Sequence, residues 1–501
     1  MAWLILLTGI AIIVWRTPSL KSHANDIISV VINKYLTWKF PAYHVQTGKP
    51  IPTCPYRFPN GQGDVGKFLQ GRENSEKWEG TYGSVYRIWS GMRPEVVLTR
   101  PDHLQTVFKD SDRHSKAANN NSGHLMSQLL GKCVGLISGD EWKTVRTSVE
   151  VPFLRKNATD YVPLVVRHIR KHFDELRTAQ PEPRLSQGLL DPAEDLKLLP
   201  FWVVGEVIYG ELSEAQVAEL RSLAPVREEL FKHVIKGGVS RFAWARFLPT
   251  EANRLLTAFR QRWAAFNDGV YERAVAMGTN PPIVGMYELV RQGSMTREHL
   301  LHTLDESLYA NLDVTTGGIS WTIVFLAAYP EYQAKLRDEL RDKYGGDAHR
   351  YALGSSSLLA CCVAESARLK PLAAFSVPQS APTERVVDGY VIPAGTDFIV
   401  DSIGLNVRHP FWGKDAERYR PERFLEKGAL EMRYLYWRFG FGPRQCMGKY
   451  VADIIIRGLV IHLLENYDLA LLGGEKQDQW GRNPEVWIDH PKMLIECVKK
   501  A

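Results

Sequence analysis

The hydrophobic pattern divides the chain into an apolar start, a proline-rich stretch and a long run of helical periods with a few strand-like interruptions. Ala2–Trp15 is fourteen residues without a charge. As a helix it would span about 21 Å, against a hydrocarbon core of about 30 Å. It lacks the small-residue cleavage site of a signal peptide. Ile27, Ile28, Val31, Ile32, Tyr35 and Leu36 then recur at helical spacing, with Trp38 at the end. That pattern suits an amphipathic helix lying in a membrane interface, although two ordinary core helices would read the same way. Arg16 and Lys21 favour the bulk of the chain on the cytoplasmic side. The pattern predicts a membrane anchor over 1–38. Pro41, Pro50, Pro52, Pro55 and Pro59 predict a stiff, extended hinge over 39–63. Residues 64–501 form the remaining unit.

Within that unit, Val85–Trp89 and Glu95–Thr99, separated by Gly91 and Pro94, predict a β-hairpin. Residues 112–130 are polar and Asn-rich, a loop. Residues 158–280 predict several helices. Thr296–Tyr329 predicts one long helix stopped by Pro330. Gly317 and Gly318 in its interior cost about 1 kcal/mol each, which implies a bulge or close packing. Asp388–Thr396 predicts a turn with two short strands, and Met447–Glu465 an apolar helix. The fold class is mainly α with a small β region.

Composition narrows this picture modestly. Length suggests about three domains, and a hydrophobic share of 45% is enough to bury a large core. Lys and Arg number 62 against 56 Asp and Glu, a net charge of +6. That is too small and dispersed to imply nucleic acid. The six cysteines show neither a CxxC zinc spacing nor a secreted framework. The one GxGxxG string, Gly61–Gly66, follows the prolines rather than a strand, so the chain carries no nicotinamide or flavin signature of its own.

The chemistry concentrates in Trp437–Gly448. Glycines here can take φ > 0 and let a flat ligand approach the backbone, and Pro443 fixes one dihedral. Arg444 places a permanent cation two residues from Cys446. Cys446 sits at the start of an apolar helix, where the dipole and free N–H groups favour a thiolate. Such a thiolate is a good iron ligand; a lone Cys before a helix otherwise packs as a small hydrophobe. Trp142-x-x-x-Arg146 puts an indole N–H and a guanidinium on one helix face, a donor pair for a carboxylate or a plain surface pair. Glu365-x-x-Arg368 shares a face in the same way.

Phe439-x-x-Gly442-x-Arg444-x-Cys446-x-Gly448 resembles the haem-binding loop of the cytochrome P-450 family at every fixed position. The resemblance extends over about residues 40–500 and implies the cytochrome P-450 fold. It implies haem b with the Cys446 thiolate as axial ligand. It implies that Phe439, Gly442, Arg444 and Gly448 shape the haem site while Trp142 and Arg146 hold a propionate. Tyr419–Phe424 resembles the family's PERF stretch, implying a buried triad of Glu365, Arg368 and Arg423. In the family a basic residue about ten positions before Gly389 usually binds a propionate; here Val377-Pro378-Gln379-Ser380 holds none.

Ala310–Thr316 is similar to the family's oxygen-side helix, with two departures. Asn311 stands for the usual glycine and Val314 for the threonine that relays protons toward dioxygen. Asn311, Asp313 and Thr315 are then the catalytic candidates. An undistorted helix would turn Thr315 about 100° from the position of Val314, which favours Asn311 or the substrate itself as the proton source. The resemblance further implies a pocket of Ala310, Val314, Pro371, Leu372, Ala373 and Phe375 for a small lipophilic substrate, with a mobile lid over 213–255. It implies dioxygen and a separate NADPH-dependent reductase. Arg438, Arg444 and Lys449 read either as an open basic docking surface for an acidic reductase or as haem-facing and solvated residues. The anchor and the 310–321 wording resemble fungal members that tailor secondary metabolites, including diketopiperazine-type peptides, from the endoplasmic reticulum membrane. Hydroxylation and oxidative ring formation, coupling or desaturation all suit the altered helix. The competing readings are rearrangement or dehydration without dioxygen, and a non-catalytic haem sensor.

Overall fold

The structure, a computed structural model, describes residues 17–178, 184–474, 477 and 480–500. The apolar run Ala2–Trp15 lies outside the described residues. Among the described residues no single helix is long and apolar enough to cross a membrane.

Helix α1 (Pro18–Lys39) begins with a proline in its first turn, where the missing N–H costs nothing. It is docked rather than detached. Leu36 is buried with Tyr56 and Trp89, and Asn33 Oδ1 accepts from the Tyr56 N–H (3.0 Å) and from Trp89 Nε1 (3.2 Å). Its outward face is apolar and exposed at Ile27, Val30, Val31, Tyr35 and Trp38.

The predicted hairpin forms as β1 (Val85–Ser90) and β2 (Arg93–Leu98), Val85 opposite Leu98. Residues 112–130 are not all loop: Ser115–Lys116 forms β3, and His124–Leu130 is a helix. Helix α2 (Gly139–Val149) starts at Ser138. Helix α3 (Glu214–Lys236) is opened by a capping box of Ser213 and Gln216. Helix α4 (Arg297–Ala310) is opened by a similar exchange between Thr296 and His299. A π turn over Asn311–Thr315 follows, and then α5 (Thr316–Ala328), which is buried nearly all round. Helix α6 (Leu358–Leu369) stops before Lys370-Pro371, because proline disfavours helix at the residue before it. Strand β4 (Gln379–Ser380), strand β5 (Asp397–Val400) and helix α7 (Lys449–Asn466) complete the frame.

One sheet runs β1-β2-β5-β4-β3. Glu95 to Leu98 pair in parallel with Asp397 to Val400, and Lys116 lies opposite Gln379 in an antiparallel pair. The main core is helical, packing Trp321, Phe325, Ile455, Leu459 and Leu463. A second core of Val96, Leu98, Phe108, Phe398 and Val400 lies under the sheet. The chain thus has the mainly α architecture with a small β region.

Candidate active site

The Cys446 loop is held at both ends by backbone. Asn406 clamps Trp437 from both sides, accepting its N–H (2.7 Å) and donating to its carbonyl (2.8 Å). The Cys446 N–H donates to Phe439 O at 2.8 Å. Gly442 has φ +65°, and a Cβ there would lie 2.3 Å from Ser111 Oγ. Only glycine meets both conditions.

Cys446 is exposed, while the other five cysteines are buried. Burial pushes the thiols of Cys54 and Cys497 up to about 12 and that of Cys361 up to about 11. The Cys446 thiol is also raised: desolvation outweighs the Gly448 N–H and the charges of Arg146 and Arg438. A cation bound at the sulfur would deprotonate it.

Cations surround this loop. The Arg444 guanidinium stacks on the Trp142 ring at 4.3 Å and donates through Nη2 to Ile137 O at 2.8 Å. Its Nη1 is buried without a protein partner. Arg146 binds Glu150 at 2.6 Å and reaches Gln445 O at 3.3 Å. Arg438 pairs with Asp453 at 2.7 Å. The sequence expectation of an open basic docking surface at Arg438 and Arg444 is thus corrected: both guanidiniums are drawn inward by these partners.

Behind the loop, Glu365, Arg368 and Arg423 are fully buried. Arg368 holds Glu365 through two bonds of 2.7 and 2.9 Å, and Arg423 Nε adds a third at 3.0 Å. Arg368 Nη1 also donates to Asn406 O at 2.8 Å. Asn406 therefore connects the ionic cluster to Trp437 and the Cys446 loop. Nothing in the sequence pattern marked Asn406 for this, since Trp437 meets its side chain only with backbone groups and Arg368 bonds its backbone carbonyl.

The π turn interrupts the long helix between α4 and α5. It falls on Asn311–Thr315 itself, not at Gly317-Gly318, so the undistorted geometry assumed from sequence does not apply. Thr315 Oγ1 donates to Asn311 Oδ1 at 2.7 Å, and Asn311 Nδ2 donates to Ser307 O at 2.7 Å. Val314 is half-buried and Ala310 exposed. Gly317 marks close packing: a Cβ there would lie 3.0 Å from His490, Ile488 and Leu372. Trp487 Nε1 donates to Asp313 Oδ2, and His490 Nε2 to Asp313 O, each at 2.7 Å. This clamp from the C-terminal segment was not visible in the sequence. The Asp489 N–H bonds Leu372 O at 2.9 Å, bringing Leu372 beside the same helix. Pro371 is buried and Ala373 half-buried. Phe375 is not part of this group. It is fully buried against Trp78, with ring centroids 5.5 Å apart, in the core beside Ile399.

A further contact joins α4 to the segment before α2. His302 Nδ1 accepts the Lys132 N–H at 3.0 Å, Thr303 Oγ1 the Val134 N–H at 3.2 Å, and Glu306 the Gly135 N–H at 3.0 Å.

A mainly helical fold with one accessible thiol just before a helix, and a π turn breaking a long helix, suits the haem-thiolate oxidoreductases. A family model described as "Cytochrome P450" matches residues 64–495, and the chain belongs to that family, whose members are oxidoreductases. It is 53% identical to cytochrome P450 monooxygenase aclC of Aspergillus oryzae, over 93% of this chain and 96% of the relative. It is 49% identical to cytochrome P450 monooxygenase asaD of Aspergillus flavus, over 97% and 93% respectively. A solved zebrafish cytochrome P450, titled as a complex with progesterone, shares the fold at a TM-score of 0.68 and 18% identity. The match covers 85% of this chain and 98% of that one.

Proposed function

We propose that this protein is a haem-thiolate monooxygenase in which Cys446 supplies the axial thiolate to haem b. It oxidises a small lipophilic molecule with dioxygen and electrons from a separate NADPH-dependent reductase. The observation that carries this reading is the contrast among the cysteines: Cys446 alone is exposed, in a backbone-fixed loop, and the other five are buried. The buried, unpartnered Arg444 Nη1 is a donor suited to a carboxylate, and Trp142 and Arg146 stand beside it. These residues would hold the carboxylate groups of a haem. When bound, haem supplies the one-electron and dioxygen chemistry.

The chain's own residues then divide the remaining work. Phe439, Gly442 and Gly448 shape the loop around the sulfur. Glu365, Arg368 and Arg423, acting through Asn406, keep that loop in place. Thr315 and Asn311 form a hydrogen-bonded pair that holds a proton near the pocket, a task Val314 cannot perform. Asp313, held by Trp487, is the outer proton carrier. Ala310, Val314, Leu372 and Ala373 give an apolar lining that suits a lipophilic substrate. The fungal monooxygenase relatives support a tailoring reaction of secondary metabolism, either hydroxylation or oxidative ring formation, coupling or desaturation.

Residues 1–38 are proposed as the membrane anchor, 39–63 as the hinge and 64–501 as the catalytic unit, facing the cytosol from the endoplasmic reticulum. The exposed face of α1 and the exposed Phe242, Trp244 and Phe247 support a membrane-facing side. The test is spectroscopic. Reduced protein under carbon monoxide should show the red-shifted band of thiolate ligation, and Cys446→Ala should abolish it. A normal band in Cys446→Ala would move the ligand to another cysteine.

A further inference from the structure

Asp313 is held twice by the C-terminal segment, and the two contacts act on different groups. His490 Nε2 donates to its backbone carbonyl, whereas Trp487 Nε1 donates to carboxylate Oδ2, each at 2.7 Å. The segment is anchored without the Trp487 indole: Arg72 binds Asp489 Oδ2 at 2.7 Å, and Trp321 Nε1 donates to Asp489 O at 2.7 Å. The Trp487 N–H therefore acts on the Asp313 side chain alone. An indole N–H donates and takes up no proton, so Trp487 cannot relay one. It fixes the rotation of the carboxylate through one oxygen and leaves Oδ1, which has no hydrogen bond among the described residues, to carry the proton.

The indole is placed in turn by α3, the helix of the expected lid. Its ring meets Phe231 of α3 with centroids 5.1 Å apart and Phe68 with centroids 5.8 Å apart. Phe231 lies under the Arg227 guanidinium, 4.9 Å from the ring centroid, and the two residues share one face of α3. Arg227 Nε donates to Asp305 of α4 at 2.7 Å, with both side chains buried. Asp305, Arg227, Phe231, Trp487 and Asp313 thus form one chain of contacts. It leaves the long helix at Asp305, crosses α3 and the C-terminal segment, and returns about two turns further along at Asp313. Packed and hydrogen-bonded groups in contact carry coupling between sites, and non-additivity measures it.

We propose that Trp487 is the positioning residue for proton delivery through Asp313, and that it takes its own position from α3 through Phe231. The seating of α3 then sets how well the proton is delivered. This rests on the monooxygenase reading above, and the experiment separates the two. Holoprotein is prepared as wild type, Phe231→Ala, Asp313→Asn, Trp487→Phe, which keeps a ring against Phe231 but loses the N–H, and Trp487→Phe combined with Phe231→Ala. Each is supplied with NADPH and a reductase, and no substrate is added. One NADPH and one proton convert dioxygen to peroxide; two NADPH and two protons convert it to two waters. The peroxide-to-water ratio therefore reports proton delivery, with the carbon monoxide band as the control for axial ligation. Trp487→Phe should raise that ratio about fivefold, the scale of one lost hydrogen bond, with the band intact. Phe231→Ala and Asp313→Asn should raise it too, and the double variant should go no further than the larger of its single changes. A second readout is independent of turnover. In fluorotryptophan-labelled holoprotein, the Trp487 fluorine resonance, identified by its absence from Trp487→Phe, should shift in both Phe231→Ala and Asp313→Asn. An unchanged ratio in Trp487→Phe, effects that multiply in the double variant, or a Trp487 resonance indifferent to Phe231→Ala would overturn the proposal while leaving the Cys446 reading standing. Should Phe231→Ala fail to fold, Phe231→Leu is read in the same way. A wild-type protein without the thiolate band would overturn the Cys446 reading and this proposal with it.

Discussion

At the scale of single residues, the decisive pair is Asn311 and Thr315. Sequence reasoning treats them as rivals for the role left empty by Val314, and it expects Asn311→Ala to be the more damaging change. The 2.7 Å bond between Thr315 Oγ1 and Asn311 Oδ1 makes them one unit. Removing either side chain leaves the other without its partner. Asn311→Ala and Thr315→Ala should therefore each slow product formation at least tenfold, about 1.4 kcal/mol of barrier, and raise peroxide release. The double variant should be no slower than the worse single, since coupled residues are not additive. Rates that multiply in the double variant would show that the two act independently. The same proximity explains why the threonine looked misplaced: the π turn changes the rotation between residue 314 and residue 315, and no sequence period announces a π turn.

At the scale of elements, two interfaces hold the site together. The first joins α6 to the Cys446 loop through Glu365, Arg368, Arg423 and Asn406. Breaking a buried ionic cluster by removing one member typically costs about 3–5 kcal/mol. Glu365→Ala should accordingly give protein that does not retain haem. A soluble, haem-replete Glu365→Ala protein with a full thiolate band would contradict this role. The second joins α4 to residues 132–135, where His302 Nδ1 must be unprotonated to accept the Lys132 N–H. Burial pulls His302 down to about 4, against the usual value of about 6.5. The native state then binds fewer protons than the unfolded chain between those values. This contribution is fully present above pH of about 6.5 and is lost as the pH falls through about 4. It amounts to something on the order of 3 kcal/mol. His302→Gln can still accept the bond without titrating. Thermal unfolding followed from pH 7 to 4 should therefore show a shallower loss of stability in His302→Gln than in the wild type.

At the scale of the whole molecule, α1 is part of the folded unit. Deleting residues 1–16 leaves every contact among the described residues in place. Deleting 1–38 also removes Asn33 and Leu36, which hold Tyr56 and Trp89. The longer deletion should release the protein from membranes with haem retained. It should lower the unfolding temperature by an amount equivalent to roughly 2–4 kcal/mol, the scale of one buried leucine plus a hydrogen bond. Equal unfolding temperatures for the two deletions would show that α1 adds nothing to the folded unit. By itself the sequence determined the fold class, the glycine-rich loop at Cys446, the ionic residues Glu365, Arg368 and Arg423, and the departures at Asn311 and Val314. These are local: each is a pattern of residue types within one element, and helix periods and glycine-rich turns are written in neighbouring positions. Only the tertiary structure decided that the break lies at Asn311–Thr315, that Trp487 and His490 clamp Asp313, and that Phe375 belongs to another core. It likewise decided that Asn406 links the ionic cluster to the loop and that Lys116 faces Gln379. Apart from the π turn, which is local, and the packing of Phe375, those facts are hydrogen bonds and strand register between segments tens to hundreds of residues apart. Their partners are mostly backbone groups, which every residue carries, so residue identity alone does not mark them.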